Sequence, residues 1–80
     1  LIILEGYDEA ILGPAYIQGE EDIVQVLVYD AEKIRKILMQ RDSMTAEEAR
    51  EFIEFNIEGA YFGDDSPILV WPDDYYDFRH

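Results

Sequence analysis

The run IVQVLVY, Ile23 to Tyr29, passes directly into DAEKI, and that junction constrains the fold more than any other feature of the chain. The run is rich in β-branched residues and too short for a helix, so it reads as a well-buried strand, central to its sheet. Asp30 then supplies an N-cap, and Tyr29 before it is placed to pack on Ile34, four positions into the helix that follows. Ala31, Ile34, Ile37 and Leu38 make one apolar stripe, with Lys33, Arg35, Lys36 and Arg41 outside it. A second helix begins at TAEE, where Thr45 and Glu48 have capping-box spacing and Met44 is placed to staple onto Ala49. Upstream, GPAYI reads as a partner strand, connected through Gly19 and the acidic run Glu20, Glu21, Asp22. Pro14 has no amide hydrogen to give a ladder, which puts that strand at a sheet edge. Downstream, Pro67 to Trp71 reads as a third strand. Short strands and long helices thus occur in blocks, which predicts an α+β domain: a small antiparallel sheet of about three strands with two consecutive helices packed on one face. One globular domain takes residues 1–72, and an acidic, aromatic tail takes residues 73–80.

Asn56 interrupts an otherwise apolar set. Ala49, Phe52, Ile53, Asn56 and Ala60 recur at spacings of three and four, so the asparagine shares the apolar face of the second helix. An unpaired buried amide costs about 1 to 3 kcal/mol, which predicts that Asn56 is buried and latched to main chain of a neighbouring segment, a structural role. Gly59 or Gly63 is then the residue that ends the helix in the left-handed conformation. Neither belongs to a phosphate loop, because no G-x-G-x-x-G or G-K-[ST] pattern is present.

The chain of 80 residues carries a net charge of −13, and the distribution matters more than the total. Ala31 to Arg50 holds four acids and five bases, whereas the rest of the chain holds fifteen acids and a single base, Arg79. Such a field repels nucleic acid and anionic lipid and attracts basic protein surfaces over about 8 Å at physiological salt. No apolar run approaches the roughly 20 residues of a membrane span, and LIILEG lacks the features of a signal peptide. A soluble protein of the cytoplasm is expected. With no cysteine, and with His80 the only histidine, neither a disulfide nor a Cys/His zinc site is available.

Catalytic groups are equally scarce. A triad needs a nucleophile, a base and a group to orient it, and the supply is two serines, one threonine committed to a cap, and His80. GDDSP and PDDYYD lack the alternating ligands and central glycine of a calcium loop. No enzymatic activity, cofactor or metal is expected. The better-formed feature is a surface. Glu47, Glu51, Glu54 and Glu58 recur at four, three and four residues, one row of about 16 Å opposite Phe52 and Ile53. By itself the row reads equally as a solvated helix face, partly neutralised by Arg50, which can reach both Glu47 and Glu54. A nucleic-acid mimic needs Asp64, Asp65, Asp73, Asp74 and Asp77 beside it, and Trp71, Tyr75, Tyr76 and Phe78 are the residue types that dominate interface hot spots.

The YD that opens the first helix, followed by MTAEEAREFIEFNIEGAYFGDDSPI, resembles small proteins encoded by tailed bacteriophages. The resemblance spans about half the chain and involves Tyr29, Asp30, Met44, Asn56, Gly59, Gly63 and Pro67. It implies a shared fold and a viral origin, and it supplies no catalytic residue. Small acidic viral chains with few catalytic groups often act by occupying a basic site on a host protein. The reading is therefore a binding protein that covers a nucleic-acid-binding surface of a basic host or phage protein, as an inhibitor or decoy, with no direct nucleic-acid or membrane contact. The alternative is a virion or replication accessory protein that binds through apolar contacts.

Overall fold

A computed structural model describes residues 1–60 and 63–72. A short 3-10 turn, Asp8–Ala10, leads into strand β1, Ile11–Gln18, and a four-residue turn returns the chain as β2, Ile23–Asp30. Helix α1, Ala31–Arg41, starts with no intervening residue, helix α2 spans Ala46–Ile53, and its winding widens into a π turn over Glu54–Glu58. Strand β3, Ile68–Val70, completes a three-stranded sheet in the order β1-β2-β3.

Both helix starts form as the local chemistry dictates. Asp30 accepts from the Lys33 amide, and Thr45 and Glu48 bond reciprocally as a capping box. Each cap satisfies amides that the first helical turn leaves without an intrahelical partner. The α1 stripe packs inward, with Ala31, Ile34 and Leu38 buried and Ile37 half-buried. Across the sheet, Ile11, Tyr29 and Leu69 lie in register on the face that meets the helices. Tyr29 is fully buried, and its phenol oxygen accepts from the Leu4 amide at 2.8 Å, so the ring enters the core without stranding its hydroxyl.

The sheet is mixed, which corrects the expected antiparallel arrangement. β1 pairs antiparallel with β2, but Val28, Tyr29 and Asp30 of β2 pair parallel with Ile68, Leu69 and Val70. The whole helical layer separates β2 from β3, so no hairpin fixes the direction of the last strand. Direction is set by the return path. Asp64 accepts from the Glu20 amide at 3.1 Å, so the chain comes back at the β1–β2 turn and then climbs alongside β2 in the same sense. β2 is central and β1 is the edge that Pro14 requires. The strand is less buried than its composition suggests: only Val26 and Tyr29 are buried, and Ile23 is 63% exposed.

The second correction concerns Asn56, which is exposed. In an α-helix, positions 56 and 57 flank the line through Ile53 nearly equally. The Gly59 amide instead bonds the Glu54 carbonyl at 2.8 Å, and this wider turn rotates each residue back relative to α winding. Ile57 moves onto the buried line with Ala49 and Ile53, and Asn56 is carried off it. Its Nδ2 donates to the Phe52 carbonyl at 3.1 Å, so the bond is to main chain as expected, but within its own helix and not to a neighbouring segment. Gly59 is right-handed, with φ −76°. Its constraint is close approach, because a Cβ there would lie 2.8 Å from the Glu54 carbonyl oxygen. The left-handed residue is Gly63, φ +99°, in the turn that Ser66 closes by donating to the Gly63 carbonyl.

Candidate functional site

The four carboxylates of the expected row are all exposed, but the row is neither straight nor uniformly charged. Glu47 and Glu51 stand on α2, whereas Glu54 and Glu58 stand on the π turn. Arg50 pairs with Glu54 at 3.2 Å, and its guanidinium stacks over Trp71 with the ring centroid 4.2 Å away. Trp71 Nε1 donates to Glu58 at 2.8 Å, and its ring packs against the core. Half the row is thus engaged inside the molecule. Trp71 is structural along one side, joining the segment after β3 to α2 and its π turn through stacking and a charge-assisted bond.

Glu47 borders a shallow concavity with Glu32, Arg35, Ala46 and Arg50 where α1 meets α2. Arg35 bonds and pairs with Glu32, and that hydrogen bond holds the Glu32 carboxyl below the usual carboxylate range. The Glu row therefore runs along α2 and its π turn, beside Arg50 and, at Glu47, beside Arg35 of α1. Coulombic attraction to an outside cation is weakest where protein cations already sit.

A different acidic cluster has no Lys or Arg lining it among the described residues. Glu20, Glu21 and Asp22 of the β1–β2 turn share a depression with Asp64. Sequence reasoning selected Asp64 but treated the other three only as a connection; the run of three consecutive acids was the available signal. Asp65 sits apart, 2.8 Å from the Leu1 amine, which holds its carboxyl below the usual range. Two apolar features were also missed as surfaces. Phe55 is 77% exposed, beside Met44 and Phe52 in a shallow groove on α2, and Tyr16 is 70% exposed on β1. Asp73, Asp74, Tyr75, Tyr76, Asp77 and Phe78 lie outside the described residues.

Among the described residues, no group of three or more His, Asp or Glu side chains is arranged to hold a metal ion. No helix among them is long and apolar enough to cross a membrane. Comparison of the chain with protein-family models, with curated proteins and with solved structures finds no match.

Proposed function

We propose that the chain is an acidic binding protein, of viral origin as its sequence resemblance implies, that covers a basic, nucleic-acid-binding surface of a host protein in the host cytoplasm. One observation carries this reading: outside residues 31 to 50, the described residues include twelve Asp and Glu and no Lys or Arg. A field predominantly of one sign accelerates encounter with the opposite sign and suppresses binding of like-charged nucleic acid. Catalysis has no corresponding support, since no described cluster combines a nucleophile with a base and an orienting group.

The test is competition. A host protein captured on the chain at about 0.15 M salt is eluted by raising salt or by adding duplex DNA, because all three act on the same cationic surface. A captured protein that resists both salt and DNA would overturn the reading. It would favour the apolar alternative, for which exposed Phe55 in its groove with Met44 and Phe52 is the specific support.

A further inference from the structure

β1 and β2 each run eight residues, about 26 Å at the usual rise, yet the core covers only the end of the pair that carries Ile11, Leu27 and Tyr29. Toward the turn, the same face is bare. The register sets Tyr16 opposite Gln25 and Gln18 opposite Ile23, so Tyr16 and Ile23 share the face of Leu27. Gln25 Nε2 donates to the Tyr16 hydroxyl at 3.2 Å, which holds the ring across the two strands. Tyr16 is 70% exposed and Ile23 63% exposed, and Pro14 and Leu12 continue the exposed positions along β1. A contiguous apolar patch with a polar rim marks an interaction site. The strand edge itself is a poor template for an added strand, because Pro14 lacks an amide hydrogen and the register shifts between Ile11 and Gly13. A partner therefore meets the face.

Charge decides which partner. The patch ends at the turn, where the Glu20 and Glu21 carboxylates meet no Lys or Arg among the described residues, and residues 11 to 30 contain no base. A second copy docked face to face would bring two acidic hairpins with no base between residues 11 and 30 into one interface, with no cation to complement Glu20 and Glu21. We propose that the turn end of the hairpin face docks a protein segment in which lysines or arginines flank an apolar anchor, the apolar group seating on Tyr16 and Ile23 and the cations on Glu20 and Glu21. This rests on the basic-partner reading and assigns it a surface distinct from the α2 row.

Two synthetic peptides of equal charge test it, one alternating lysine with leucine and one of lysine alone, titrated into the isotope-labelled chain while amide and methyl shifts are followed. The alternating peptide is expected to bind more tightly and to shift Tyr16, Ile23 and Glu20. Tyr16→Ser combined with Ile23→Ser, both at exposed positions, is expected to weaken it about tenfold, with the remaining amide spectrum unchanged. Glu20→Gln with Glu21→Gln is expected to weaken it and to flatten its salt dependence. Shifts confined to residues 47 to 58, or equal binding of both peptides unaffected by the Tyr16/Ile23 variant, overturn this surface and leave the basic-partner reading standing. No salt-sensitive binding of either peptide overturns both. Sedimentation of the chain alone distinguishes the remaining occupant: a dimer abolished by Tyr16→Ser with Ile23→Ser gives the face to a second copy and overturns the proposal.

Discussion

Asn56 and Gly59 lie in one helical segment, and each is explained by the π turn between them. Asn56 is exposed with its amide on the Phe52 carbonyl, so Asn56→Ala is expected to change stability by no more than about 0.5 kcal/mol in urea denaturation. A loss of 1 kcal/mol or more would mean the amide holds something beyond its own helix. Gly59→Ala separates intrinsic propensity from geometry. Propensity alone gives a gain of about 1 kcal/mol, whereas a methyl 2.8 Å from the Glu54 oxygen forces the turn apart, and a loss of about 1 to 3 kcal/mol is expected. Ile53, fully buried in the core cluster with Tyr29, Ile34 and Leu38, sets the scale for a core deletion: Ile53→Ala is expected to cost about 2 to 5 kcal/mol, enough to unfold much of a domain this small.

The helices begin where their sequences say and end where tertiary contacts allow. Thr45→Ala removes one half of the capping box and is expected to cost about 1 kcal/mol, read as a shift in urea midpoint at constant slope. On α1, the Glu32 carboxyl is depressed, first by its hydrogen bond from Arg35. A depressed folded pKa means the unfolded chain binds more protons through the titration, so this stabilisation is fully present above the unfolded value of about 4.3 and is lost as pH falls through the lower folded value. The stability difference between the parent and Glu32→Gln is accordingly expected at neutral pH and expected to vanish in acid. A difference that persists at low pH would assign the effect to packing of the side chain. Caps and neighbouring charge pairs are legible because three or four residues of sequence contain every group involved. The mixed sheet was not, since the bond from Glu20 to Asp64 that sets the direction of β3 joins residues far apart in the chain.

At the scale of the whole molecule, charge repulsion opposes folding. With −13 net and only a few described ion pairs to offset it, the compact state is expected to gain stability from salt. The urea midpoint should rise between about 0.01 M and about 0.5 M NaCl, over which the screening length falls from about 30 Å to a few ångströms. A midpoint that falls would show that the local pairs outweigh the long-range field. The same field bears on binding: Glu51→Lys with Glu54→Lys should slow association with a basic partner and leave dissociation nearly unchanged if the α2 row only steers.

The sequence by itself determined the helical core positions Ala31, Ile34, Leu38, Ala49 and Ile53, the α+β class, the two helix starts and the edge position of β1, because each depends on side-chain type at short spacing. Tertiary structure alone decided the parallel pairing of β3, the π turn that exchanges Ile57 for Asn56, and the docking of Trp71 onto Arg50 and Glu58. The periodicity of 47, 51, 54 and 58 was read correctly as exposed, but exposure is a property of one helix, whereas charge at a surface sums over every element that packs beside it. Glu20, Glu21 and Asp64 come together only when the chain returns to the hairpin turn, and no window of sequence contains that return.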